Sequence, residues 1–230
     1  MTGSPAATPV DEAAAFIAKW RGAWPEWSLV EGFVPPHERE VGGAWQALQF
    51  ELQEAAWGGG DARPGEAKLA WWAEELSGWA QGRRRHPLGA VLQRYPAPWT
   101  ALANALPGLA ASRARPATAG HAWGGVADAA AAAAAVEAAL LGGRADARAI
   151  AAAWLHARLA RHPVDAVPAD HAAPGAWADS LLRQWPDSRG LSATRRIELA
   201  LARARLAKAD AASPRAPLAV LWAGWRAARG

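Results

Sequence analysis

The sequence predicts an all-α fold, one helical bundle over residues 11–230, on three observations. Composition is the first: 52% of the 230 residues are apolar, alanine and leucine abound, and there are only three Phe and one Tyr. Few residues are β-branched, and runs such as Ala129 to Ala135 propagate helix far better than strand. The second is periodicity, with apolar residues recurring at steps of three and four. The third is punctuation, because Pro and Gly cut the chain into pieces of helical length.

The breakers Pro35-Pro36, Gly58-Gly59-Gly60, Gly82, Pro107-Gly108, Gly142-Gly143, the 163–168 stretch and Ser213-Pro214 leave ten candidate helices. These cover residues 11–21, 38–57, 64–81, 87–93, 98–106, 118–141, 146–161, 174–185, 192–211 and 216–229. In 38–57, Val41, Trp45, Leu48, Leu52 and Ala55 form one apolar stripe; in 64–81, Leu69, Trp72, Leu76 and Trp79 do the same. The short Gly-rich link between them predicts an antiparallel hairpin with Trp72 and Trp79 buried in its contact. Ser192 or Thr194 is placed to cap the next-to-last helix, with Ile197, Leu201 and Leu206 facing inward. Leu218, Leu221, Trp222 and Trp225 should dock the last helix on the bundle, and a self-association surface there stays open.

Fifteen tryptophans are many for this length. Alanine-rich helices carry little side-chain volume, so sparse large residues are expected to fill the gaps between them. With no Cys, disulfides, thiolate metal sites and a Cys nucleophile are excluded. Residues 1–10 read as a disordered tail, without the basic and apolar regions of a secretory signal. The 129–141 run is too short to span a bilayer. A soluble cytoplasmic protein is therefore expected. The net charge is +4, and scattered arginines account for the basicity; there is no strong nucleic-acid signal, and a basic helical adaptor for nucleic acid or an anionic surface is the weakest reading. No serine-nucleophile, dinucleotide or H-E-x-x-H pattern occurs.

One segment carries a resemblance. Phe33-Val34-Pro35 and Arg39 lead into a helix containing Gln46 to Leu52; Lys68-Leu69-Ala70-Trp71-Trp72-Ala73-Glu74-Glu75-Leu76 follows, then Gly82 and His86-Pro87-Leu88. Over residues 31–92 this order resembles the N-terminal part of the squalene/phytoene synthase family. The resemblance implies an isoprenoid-synthase-like bundle around a cavity, in which two aspartate-rich motifs hold Mg²⁺ against substrate diphosphates. It also implies Glu51 as the one candidate catalytic residue, and Trp71, Trp72 and Glu75 as candidate substrate-binding residues.

The chain departs from that pattern. Where the first acidic motif should fall stands Glu51-Leu52-Gln53-Glu54. At about 100° per residue, Glu51 lies off the centre of the apolar stripe, where it can face a cavity margin, and Glu54 is expected to face water. No second acidic cluster exists: Asp128 and Glu137 are nine residues apart, Asp165 and Asp170 lie on a broken segment, and Asp146, Asp179, Asp187 and Asp210 stand alone. No metal ligand is assigned, and Mg²⁺ is expected only if activity survives. The expected function is therefore a degenerate family relative that binds a partner protein or an isoprenoid-like lipid. A prenyl-transferring enzyme with atypical acids is the alternative. Arg83, Arg84 and Arg85, at a helix C-terminus with no acidic run nearby, are expected to be exposed and to offer peripheral membrane contact.

Overall fold

The computed structural model describes residues 9–208 and 211–230. Most of the expected 1–10 tail, and Asp210, lie outside those residues; Pro9 already opens the first helix. The described residues form helices and no strand, so the chain is all-α. In order they are α1 (Pro9–Ala23), α2 (Trp27–Val30), a 3₁₀ turn (Glu31–Phe33), α3 (Pro36–Trp57), α4 (Ala62–Trp79), α5 (Gly89–Leu92) and α6 (Trp99–Ala111). Then come α7 (Ala119–Leu141), α8 (Ala147–Arg161), α9 (Pro163–Ala166), α10 (Pro174–Arg183), α11 (Ala193–Leu206) and α12 (Pro217–Arg229).

Side-chain oxygens start four of the long helices. Asp61, Thr118, Asp146 and Ser192 accept from the backbone N–H of Arg63, His121, Ala149 and Arg195, which satisfies donors that a helix start leaves orphaned. α3 is the hub. α1, α4, α5, α6, α7, α8 and α11 all touch it, and α4, α6, α7, α8 and α11 follow one another around it as neighbours. The expected α3–α4 hairpin forms, and Gly65 is why it closes so tightly: a Cβ there would sit 2.2 Å from the Ala55 carbonyl oxygen.

Tryptophan supplies the volume that alanine lacks. Trp45, Trp72, Trp99, Trp154 and Trp177 are fully buried. Trp72 and Trp79 meet edge to face at 6.3 Å, and Trp79 meets Trp99 of α6 at 5.0 Å. The two are buried as expected, and the contact includes α6 as well as the hairpin.

Several expectations need correction. Pro107 does not stop α6: the stripe Leu102, Leu106, Leu109 runs across it fully buried, and that burial outweighs one lost backbone bond. The expected helix at 87–93 shrinks to the single turn of α5, the expected 192–211 helix ends at Leu206, and the turn at α2 was not foreseen. α7 is 23 residues long and, by length and composition alone, apolar enough to cross a membrane. In the bundle it lies between α6 and α8.

The last concerns α12, which docks on the opposite face from the one expected. Val220 and Gly224 turn inward, and a Cβ on Gly224 would lie 2.4 Å from the Val30 side chain. Close approach at a glycine decides the orientation, and it leaves Leu218, Trp222 and Trp225 outside.

Trp72→Ala is expected to lower stability by about 3–5 kcal/mol, the cost of emptying a buried aromatic site. Trp79→Phe should cost about 1.5–3 kcal/mol, because the Glu75 carboxylate loses the indole donor 2.8 Å away. Urea denaturation measures both, and midpoints like wild type would refute this account of the packing.

Candidate functional site

From Val41 onward α3 is almost wholly enclosed, so the polar residues there must find partners inside the protein. Gln46, Gln49, Glu51 and Gln53 are all buried. The deepest partner is Arg195 on α11, whose Nε donates to both carboxylate oxygens of Glu137 at 3.0 and 3.1 Å. Its Nη2 also reaches Glu137 and donates to Gln49 Oε1 at 3.0 Å, while Nη1 pairs with Glu198. Trp45 Nε1 donates to Glu137 at 2.7 Å, Trp154 Nε1 to Gln49 at 3.0 Å, and Gln46 Nε2 to Glu198 at 2.8 Å. Burial alone would push the Arg195 guanidinium down; the two carboxylates overcome it and hold it above its ordinary value.

The second cluster gathers the residues picked out by the resemblance. Glu51 is not at a cavity margin. Its two oxygens accept from Lys19 Nζ and Lys68 Nζ, each at 2.6 Å. Burial would raise its carboxyl, but those two ammonium groups win and hold it below the usual range. Glu54 is only partly turned to water: Arg161 Nη1 pairs with it and His162 Nε2 lies 3.9 Å away. The physical reason is that α8 packs against α3 and brings Arg161 to its margin there.

Beside Glu51 sits His86, boxed by Phe16, Trp72 and Trp71 at ring distances of 4.4, 4.5 and 5.9 Å. Its Nδ1 accepts from the Leu88 N–H at 3.1 Å. Burial pushes the imidazole down to about 4; Glu51 and Glu75 oppose the shift and Lys68 adds to it.

Glu75 is fully engaged in closing the α4 turn. One oxygen accepts from Trp79 Nε1 at 2.8 Å and from the backbone N–H of Arg85 and His86 at 2.7 and 2.8 Å; the other accepts from Arg85 Nε at 3.0 Å. Arg83, Arg84 and Arg85 are exposed as expected. The expectation that no acid pairs with them is corrected, since Arg85 also lies 3.5 Å from Glu74. Adjacent carboxylates one helical turn back in space supply the partners. Trp71 is half-buried, with the Arg85 guanidinium 5.4 Å from its ring centre.

A narrow aromatic cavity of about 50 Å³ lies between α1, α2, α3, α8 and α11, walled by Trp20, Trp24, Trp27, Phe50 and Leu201. In its wall Arg205 pairs with Glu26 and lies 4.5 Å from the Trp24 ring centre. His156 lines it with Nε2 unpartnered by protein, and burial pushes that imidazole down to about 3. A cavity that admits benzene measures roughly 150 Å³, so this one has room for a few waters.

No protein-family model matches the sequence, and neither the curated proteins nor the solved structures include a match.

Chemically, the clusters are paired and held. Among the described residues no group of three His, Asp or Glu is arranged to hold a metal ion. The residues do not fit Mg²⁺, because both oxygens of Glu51 are occupied by ammonium groups and Glu137 and Glu198 share Arg195. The sequence reading brought Glu51, Trp71, Trp72, Glu75 and His86 into one neighbourhood. It missed the Arg195–Glu137 pair, whose only signal was a lone Glu on an alanine-rich helix.

Arg195→Met should cost about 3–5 kcal/mol, since it strands the Glu137 carboxylate; adding Glu137→Gln should recover part of the loss. A single-variant loss below about 1 kcal/mol in urea titration would mean the pair is solvated. The folded His86 binds a proton more weakly than the unfolded chain, so its contribution is complete above about 6.5 and falls as pH drops toward about 4. Discounted for partial exposure, that is on the order of 2 kcal/mol. His86→Asn keeps an acceptor for Leu88 and should flatten the stability–pH curve in that window; an unchanged slope would contradict the assignment.

Proposed function

We propose that this protein is a squalene/phytoene synthase-like helical bundle that has given up prenyl transfer and works in the cytoplasm by binding a partner protein. One observation carries the reading: of the two carboxylates where the resemblance calls for metal ligands, Glu51 is saturated by Lys19 and Lys68, and Glu54 is paired with Arg161. Mg²⁺ needs oxygen ligands with free lone pairs in near-octahedral array. Both ammonium groups would have to be displaced, at the cost of stranding a buried carboxylate.

The interior bears on the ligand class. An isoprenoid-like lipid needs a long apolar cavity, whereas the bundle centre here is filled by Arg195, Glu137 and the α3 glutamines. A partner protein, which needs only surface, fits the fold better than an enclosed lipid. Loss of the chemistry leaves the scaffold free to serve as a binding body, since function resides in sites and not in folds.

The test is incubation of the full chain with farnesyl or geranylgeranyl diphosphate and Mg²⁺, with diphosphate release as the readout. No release is expected. Release that disappears in Glu51→Gln would overturn the reading in favour of an enzyme with atypical acids. In a companion measurement geranylgeraniol should show no saturable binding; saturable binding would make the ligand an isoprenoid-like lipid instead.

A further inference from the structure

We propose that the outer face of α12 is a docking surface for an anionic lipid bilayer. The inference is independent of whether the bundle retains chemistry. On this helix Leu218, Trp222 and Trp225 are 81%, 59% and 37% exposed, while most other tryptophans are buried. Their spacing of four and three puts them on one stripe. The two indoles stack on each other at 5.3 Å with 23° between planes, a pre-formed apolar plate. Leu29 of α2, which packs beside α12, is 41% exposed as well.

The helix cannot roll to hide this plate. Its inner face is fixed by Val220 and Gly224 against Val30 and Phe33. From α11, Arg196 donates to the carbonyls of Ala227 at 2.7 Å and Ala228 at 2.8 Å, which ties down the last turn. The stripe therefore remains turned outward in the folded protein.

Charge selects the occupant. Residues 211–230 contain Arg215, Arg226 and Arg229 and no Asp or Glu. Arg226 and Arg229 are exposed and lie 6.0 and 4.4 Å from the ring centres of Trp222 and Trp225. A second copy meeting this face through a two-fold axis would set these arginines against their equals, with no acid on α12 to pair them. An anionic leaflet complements them. Tryptophan suits the interface between acyl chains and headgroups, and arginine reaches the phosphates from beside it. Each basic residue held near such a surface raises the partition by about fivefold.

The experiment is co-sedimentation of the full chain with vesicles of phosphatidylcholine alone and of phosphatidylcholine mixed with phosphatidylglycerol. Binding is expected to the mixed vesicles, weakening as salt rises. Trp222→Ser with Trp225→Ser should reduce it roughly tenfold or more, with unchanged circular dichroism. Arg226→Gln with Arg229→Gln should reduce it and flatten the salt dependence, and serves as the second reporter if the tryptophan pair disturbs folding. Arg83→Gln with Arg84→Gln should leave binding unchanged. The proposal is overturned by no binding to the mixed vesicles, or by binding that depends on Arg83 and Arg84 and not on α12. A dimer in sedimentation velocity that Trp222→Ser with Trp225→Ser dissolves, in a chain that ignores vesicles, would assign the face to a second copy.

Discussion

The guanidinium of Arg195 is the group on which the arrangement of the bundle turns. It lies at the meeting point of α3, α7 and α11, and through Gln49 and Trp154 it reaches α8. A fully buried cation is tolerable only when its donors are matched, and here Glu137, Glu198 and Gln49 match them. Alanine-rich helices offer smooth surfaces that could slide past one another with little change in contact. A forked, directional ion pair removes that freedom, because a shift of one turn would leave charges facing alanine. Its role is thus to set register more than to add net stability, since an apolar replacement of similar volume is often as stable.

Enclosure of α3 also explains how the acidic residues behave. From Val41 onward the helix is enclosed by its neighbours, so the carboxylates there are matched by cations from other elements: Glu51 by Lys19 and Lys68, Glu54 by Arg161. These are counter-ions, fixed in place and held ionised. The arrangement differs from a metal cradle in kind, since a cradle leaves carboxylate oxygens facing an open space.

Much of the fold could be read from the residues, because breakers, capping oxygens and stripes are local signals. The hairpin, the burial of Trp72 and Trp79 and the Ser192 cap belong to this class. What could not be read depends on partners distant in sequence. Gln46, Gln49, Glu51 and Gln53 look solvated until seven other elements are known to enclose them. Glu137 pairs across 58 residues, and the glycine that turns α12 over does so only because Val30 stands opposite. The candidate site was legible as a neighbourhood around His86. That its carboxylates were already neutralised was not, since Lys19 and Arg85 come from the first helix and the turn after α4.

The carboxylate of Glu26 has a consequence for how the chain assembles. It accepts from Arg205 Nε at 2.8 Å and from the Arg215 N–H at 3.1 Å, across 179 and 189 positions of sequence. During synthesis residue 26 emerges long before either donor exists. Until then its buried position would hold an unmatched negative charge, so the segment around α2 must stay open and hydrated. Only when residues 205–215 are available can that loop close, and its closure carries the entropy of a long loop. The segment around residue 26 and the segment 205–215 therefore close on each other as a single latch.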